Sequence, residues 1–389
     1  HLRRPRVFTS SWGQLESAGS NIGDLAVFAS QVGELRQDFD IGVVSSDPGR
    51  TASEWGARGF STRRGRLAAM LRGVLWADKV VVGGGELVQD SSSLLYSPFN
   101  LLPFRLAALF GKPSFAWLIG LGQGSELRPW TRKGISGCLG LARGISVRDE
   151  PSGRLLSDLG FRRDRFLVAA DAAFCLCRNR RPGPVVSDLL GAAPRDVSNR
   201  TGSLLPLETR RKLGLARDVR DEGTADGWAS LLDSHLERNG GRVLLLPFHT
   251  GSLSNSDDAM CVAVLERMKH GAAASIFRDT SLDGFLEAIA GCRVMVSTPL
   301  HGAILSVVSG ALPVAAPYSS KGARFMAEAG LGDLVIDCRE PGWWRRASDK
   351  VAEAWRTADS RWEALSARRE ELLAAASANT AYFKSVCAL

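Results

Sequence analysis

Short β-rich runs alternate with amphipathic helical stretches along both halves of this chain, and no other feature constrains its fold as tightly. In the first half the strand-like runs are Arg6–Ser10, Ile41–Ser45, Lys79–Val82, Phe115–Leu121, Gly144–Arg148 and Phe166–Ala170. In the second half they are Lys212–Arg217, Arg242–Phe248, Ala274–Phe277, Arg293–Val296, Leu312–Ala315 and Leu334–Ile336. Strands joined through helices lie parallel and are covered on both faces. The spacing therefore predicts an α/β chain of two Rossmann-like, doubly wound domains facing a cleft, with ligands at the carboxyl edges of the sheets. At 389 residues there is room for two such domains. Residues 1–178 form the first and 212–389 the second in this reading. Residues 179–211, with Pro182, Pro184, Pro194 and Pro206, read as a linker with an irregular loop. A long Ala/Arg/Glu/Leu helix or helix pair, Ser348–Ser377, follows, and the last helix is expected to pack back on the first domain.

The stretch Ser297–Lys321 concentrates the chemistry. His301 falls at the carboxyl end of a buried strand and at the start of an apolar helix, whose first N–H groups face the same place. Lys321 follows the next strand. A histidine, a lysine and a helix N-terminus on adjacent loops make an anion site; a satisfied core histidine and a solvated lysine fit the same residues. Arg148 also ends a strand, in Ser146-Val147-Arg148-Asp149, where a structural Arg–Asp ion pair is the competing reading. Gly83-Gly84-Gly85 ends a strand before a polar run, as close backbone approach to a ligand requires, and equally as a tight turn would. Asp90 and its following serines fit a helix cap as well as a site.

Lysine and arginine outnumber carboxylates by 49 to 41, an excess suited to an anionic substrate, nucleic acid or an acidic membrane surface. The arginines are dispersed and no nucleic-acid motif appears, so nucleic acid ranks last. The seven cysteines form no CxxC pair and read as reduced, structural thiols of a cytoplasmic protein, with no metal site. Cys175 and Cys177, two apart in an apolar run, read as buried thiols. The apolar region Phe99–Leu121 is interrupted by Pro103, Arg105, Lys112 and Pro113, which argues against a membrane span. Gly342-Trp343-Trp344-Arg345-Arg346 pairs aromatics with cations, as an interfacial patch would, or as a buried Trp beside solvated arginines would.

Taken in order, several motifs resemble those of the polysaccharide pyruvyl transferases. They are Asn21-Ile22-Gly23-Asp24, the GGG-x-x-x-x-D loop from Gly83 to Asp90, Gly120-Leu121-Gly122, and Ser146 to Asp149. Asp171-Ala172-Ala173-Phe174, Leu246-Pro247-Phe248 and the run from Pro299 to Lys321 complete the set. The resemblance implies a glycosyltransferase-B-like fold and an enzyme of exopolysaccharide and cell-envelope synthesis. Such an enzyme moves the pyruvyl group of phosphoenolpyruvate onto a sugar as a ketal and releases phosphate. It implies no cofactor beyond that co-substrate. The acceptor is a glycan or lipid-linked sugar, met in the cytoplasm or at the inner face of the membrane, with peripheral membrane contact at most. Arg148, His301 and Lys321 then match the donor-binding residues, with Asn21, Gly84, Gly85 and Arg217 as further substrate contacts. His301 is the candidate acid, and Asp24 or Asp90 the candidate base. Pro299 stands where the family carries arginine, so a neighbour such as Arg293 or Arg217 supplies that charge, or the donor is bound differently, or donor binding is lost. A sugar-nucleotide glycosyltransferase of the same fold and a catalytically lapsed glycan-binding homologue are the alternatives.

Overall fold

The computed structural model describes residues 3–10, 21–90, 94–122, 127–180, 182–183, 187–196, 222–251, 256–317, 320–338, 340 and 342–387. The first sheet comprises β1 (Arg6–Thr9), β2 (Asp40–Ser45), β3 (Arg58–Ser61), β4 (Lys79–Val88), β5 (Ser114–Leu121), β6 (Gly144–Val147) and β7 (Phe166–Val168). It runs β3-β2-β1-β4-β5-β6-β7, with every pairing parallel. The second comprises β8 (Leu189–Ala193), β9 (Arg242–Leu245), β10 (Ala274–Ile276), β11 (Val294–Ser297) and β12 (Leu312–Ala315), in the order β10-β9-β8-β11-β12. It too is wholly parallel. Strand order reverses between β1 and β4 in one sheet and between β8 and β11 in the other. The crevice at each reversal opens at the carboxyl edge, because the connections leave in opposite directions there.

One face of the first sheet carries α3 (Arg66–Trp76), α4 (Tyr96–Leu109), α5 (Pro129–Leu139) and α6 (Glu150–Asp158), packed through Met70, Val74, Phe104 and Ile135. The other face carries α1 (Ile22–Leu35), through Val27, Phe28 and Val32. A short helix α2 (Pro48–Trp55) joins β2 to β3. The second sheet is covered by α7 (Glu222–Asn239), α8 (Asp257–Arg267), α9 (Leu282–Ala290), α10 (Leu300–Ser309) and α11 (Ser320–Glu328). The chain closes with α12, Trp343–Cys387, a single helix of 45 residues.

Two departures from the sequence reading have clear causes. Leu189–Ala193 falls in the stretch read as linker, yet β8 is the central strand of the second sheet. Its sequence, LLGAA, lacks the β-branched residues that mark strands because the position is crowded. A Cβ on Gly191 would lie 2.5 Å from the Met295 sulfur and 2.9 Å from that of Cys292. The strand expected at Lys212–Arg217 lies outside the described residues. Cys175 and Cys177 lie in a 3₁₀ segment, Ala172–Asn179, rather than a strand. Burial pushes both thiols up to about 12, which keeps them protonated and inert.

Helix α12 spans both domains. Trp343, 4% exposed, meets Trp228 edge-on at 5.5 Å in the second, while Arg345 and Arg346 are exposed, which is the reading of a buried Trp beside solvated arginines. At the other end Phe383 packs against Phe39, Phe115 and Trp117 of the first domain, with ring centroids 5.0–5.6 Å apart. Between them the buried Arg369 donates to the carbonyls of Cys177, Arg180 and Val308. No helix among the described residues is long and apolar enough to cross a membrane.

Candidate functional site

The two strand-order reversals face each other. From the first domain, α1 enters the cleft with Asn21 as its N-cap, the side chain accepting from Gly23 N at 3.1 Å. Asn21 also bridges His249 of the second domain, and Ile22 N donates to the Phe248 carbonyl at 2.9 Å. Asn21 therefore fixes the helix and the domain contact, and its carbonyl oxygen is occupied. Gly23, on the next half-turn, lies against His301: a Cβ there would come within 2.3 Å of the imidazole Nδ1 and 2.8 Å of the histidine's own Cβ. Glycine is required here because two helix starts from two domains meet.

His301 is half-buried, with Nε2 3.8 Å from Asp171 Oδ2, an ion-pair distance rather than a hydrogen bond. Asp171 Oδ2 also accepts from Arg148 Nη1 at 3.2 Å, and its Oδ1 from Ala173 N at 3.0 Å. Burial alone would raise the Asp171 carboxyl, but His301 and Arg148 together hold it well below the usual carboxylate range. Arg148 is buried and lies flat on Gly120, where a Cβ would sit 2.6 Å from its Nε. Asp149 flanks it at 3.8 Å while capping α6. Arg148 is thus a paired guanidinium whose charge is balanced by two carboxylates, and Asp171 links it to His301.

Asp24 projects from the first turn of α1 towards this cluster. Burial raises its carboxyl above the ordinary range, and His301, His249, Arg195 and Arg148 counteract that in decreasing measure. Those four groups come from both domains, which locates Asp24 at the centre of the cleft. Gly85 opens towards it, a Cβ there lying 3.8 Å from Asp24 Oδ1. Gly84 does not face the cleft: its φ of +83° and the Val27 methyl 2.0 Å from a Cβ position assign it to packing α1 on β4. Gly83 likewise abuts the Trp117 carbonyl, so the triple glycine serves close helix and strand approach first.

Asp90 is committed elsewhere. Its Oδ2 accepts from Arg128 N at 2.8 Å and its Oδ1 from Thr131 Oγ1 at 2.8 Å, which anchors the first turn of α5. That accounts for it as a cap, and Asp24 is left as the carboxylate facing the cleft. Arg217 lies outside the described residues. Arg293 does not take the place of an arginine at Pro299. It precedes β11 at the amino edge, donates to the Trp355 carbonyl and pairs with Asp359 at 2.7 Å. Pro299 itself is the N-cap of α10, with its carbonyl accepting from Gly302 N.

Several cleft residues escaped the sequence reading, among them Arg195, Arg324 and Glu328. Arg195 follows β8 and makes a two-point contact with Asp257 at 2.7 and 2.8 Å. Asp257 also accepts from His249 N. Helix α11 presents Lys321, Arg324 and Glu328 at spacings of three and four, hence on one face. Glu328 is raised by burial and by Asp149 and Asp171, which orients that face towards the Arg148 cluster. Lys321 is brought down to about 8 by burial and by the adjacent Arg324 charge. Arg324 has a buried Nε with no hydrogen-bond partner among the described residues. Two neighbouring cations, one of them with an unpartnered buried Nε, have the charge that suits an anion. No cluster of metal-ligating side chains occurs among the described residues.

A profile of the polysaccharide pyruvyl transferase family matches residues 21–320. The amylovoran biosynthesis protein AmsJ of Erwinia amylovora is 26% identical over 271 residues, 67% of this chain. The matched region spans 61% of AmsJ's own length. Among solved structures, Anabaena Alr3699/HepE, crystallised with UDP and glucose, aligns at a TM-score of 0.60 and 11% identity, over 98% of this chain and 100% of that one. The UDP-GlcNAc 2-epimerase of Neisseria meningitidis, bound to UDP-GlcNAc, aligns at 0.61 and 9%, over 98% and 99%. At such identities the likeness establishes the fold alone, two Rossmann-like domains of the glycosyltransferase-B kind.

Proposed function

Since the chain belongs to the polysaccharide pyruvyl transferase family, we propose that it moves the pyruvyl group of phosphoenolpyruvate onto a sugar of an exopolysaccharide or its precursor. The donor carries a carboxylate and a phosphate. Lys321 and Arg324 are the cations that bind them, together with the free N–H groups at the start of α10. His301, oriented by Asp171, protonates the methylene carbon of the enol phosphate. The carbon bearing the phosphate then takes up oxocarbenium character, and a sugar hydroxyl attacks it as Asp24 accepts that hydroxyl's proton. A second hydroxyl displaces inorganic phosphate and closes the ketal. General acid and base steps of this kind each contribute about 10²–10⁴-fold. No cofactor beyond phosphoenolpyruvate enters the scheme.

The observation that carries this reading is the convergence of Asp24 and His301, from different domains, on the Arg148–Asp171 pair. Titration calorimetry with phosphoenolpyruvate tests it, run beside Lys321→Ala and Arg324→Met. Saturable binding weakened more than tenfold by both, about 1.4 kcal/mol, supports the donor assignment. Binding of a UDP-sugar with no response to phosphoenolpyruvate would instead favour glycosyl transfer, the activity that the shared fold makes the next candidate. Phosphoenolpyruvate binding without phosphate release on any acceptor would favour a lapsed homologue.

A further inference from the structure

The outer face of the α3–α4–α5 layer, turned away from the first sheet, is unusually apolar. Leu67 and Leu75 on α3 are 54% and 50% exposed, Leu109 at the end of α4 is 74%, and Trp130 on α5 is 56%. Leu95, before α4, is 49% exposed. These helices adjoin one another, since all three cover one sheet face, so the side chains form one surface rather than scattered exposures.

The same face is one-signed in charge. The sequences of α3, α4 and α5 contain no Asp or Glu. Arg72, Arg105 and Lys133 are exposed on them. Arg128 stacks on the Trp130 ring at 5.1 Å, an aromatic–cation pair suited to a polar–apolar boundary. A solvated face would mix both signs, and a nucleic-acid or polysaccharide face would not need leucines. Leucines among unopposed cations match a surface that is anionic outside and hydrocarbon within.

We propose that this face docks the protein on an anionic lipid bilayer. Leu67, Leu95 and Trp130 lie in or beside the first turns of their helices, which follow carboxyl strand ends. The docked face therefore reaches the edge where the cleft opens, and the first domain's half of the cleft stands beside the membrane. The inference does not depend on the reaction.

Flotation of the full chain with vesicles tests it, using pure phosphatidylcholine and a mixture of two parts phosphatidylcholine to one part phosphatidylglycerol. The chain floats with the mixed vesicles, not with the neutral ones, and is released by high salt. Replacing Arg72, Arg105 and Lys133 together by Gln lowers the partition coefficient about a hundredfold. Leu67→Ser with Leu75→Ser and Leu109→Ser lowers it at least tenfold at unchanged charge. All six positions are surface positions, and thermal melting confirms that the variants fold. Failure to float with the mixed vesicles, or flotation indifferent to the leucine variant, overturns the proposal. So does capture by soluble dextran sulfate without flotation, or a lipid-free dimer that the leucine variant dissociates.

Discussion

Gly23→Ala isolates what the proposed reaction needs from the contact between domains. The new methyl would lie 2.3 Å from His301 Nδ1, 2.5 Å from Cγ and 2.8 Å from Cβ, whereas ordinary contact begins near 3.4 Å. The ring must retreat by about 1 Å, and rotation does not clear the clash because Cβ is also too close. The first turn of α10 moves with it, and His301 leaves its place beside Asp171 and Asp24. A displacement of about 1 Å at a reacting group is worth roughly 10²-fold in rate, or about 2.7 kcal/mol of transition-state stabilisation. Stability falls by about 0–3 kcal/mol, since the helix gains up to about 1 kcal/mol from losing a glycine while overpacking costs about 1–3 kcal/mol, so the rate is compared at temperatures where melting curves show the variant folded. Gly33→Ala in the same helix is the control. It is exposed with nothing within 4 Å of its Cβ position, so it gains the propensity alone. Phosphate release from phosphoenolpyruvate with acceptor, measured beside melting curves, should show Gly23→Ala slowed about a hundredfold and Gly33→Ala unchanged. An unchanged kcat/KM for Gly23→Ala would refute the reasoning, as would a loss that merely follows unfolding.

Arg324→Met removes a poorly satisfied guanidinium, so it should raise the melting temperature while weakening phosphoenolpyruvate binding about 10–100-fold, as for a lost charged hydrogen bond. Donor binding should also weaken as pH rises through about 8, where Lys321 loses its proton, and Arg324→Met should move that transition upward. Asp24→Asn should abolish turnover but not donor binding. In the unaltered protein the acidic limb of the rate profile should lie above the usual carboxylate range, because Asp24, raised by burial, must ionise to act as base. His235, 3% exposed against Trp355, is brought down to about 4 by burial. The folded state therefore refuses a proton that the unfolded chain accepts, and stability falls by up to about 3 kcal/mol as pH drops from about 6.5 to about 4. Melting curves of His235→Leu should lose most of that slope.

The architecture was readable because parallel α/β sheets repeat one signature. The alternation locates His301, Arg148 and Lys321 at strand ends before any coordinate is known. Where reading failed, crowding was the cause: β8 is built from Leu, Ala and Gly because larger residues would strike Met295 and Cys292. With β8 mistaken for linker, Arg195 could not be seen as a residue of the cleft. Asn21 and Asp90 illustrate a different ambiguity. A short polar side chain ahead of a helix has one appearance whether it caps the helix or meets a substrate, and only the partner atoms decide. Arg324 carries no motif; its significance is a buried Nε with no hydrogen-bond partner among the described residues, which a sequence does not record.

The closing helix has a mechanical consequence. At 45 residues it is a rod about 65–70 Å long, clamped by tryptophans in one domain and by the Phe383 ring cluster in the other. A hinge opening of the two domains would have to bend this rod or pull one clamp apart, and the central Arg369 contacts would shear with it. The cleft is therefore braced at a nearly fixed width. Shortening the rod before Phe383 should convert a stiff jaw into a loose one.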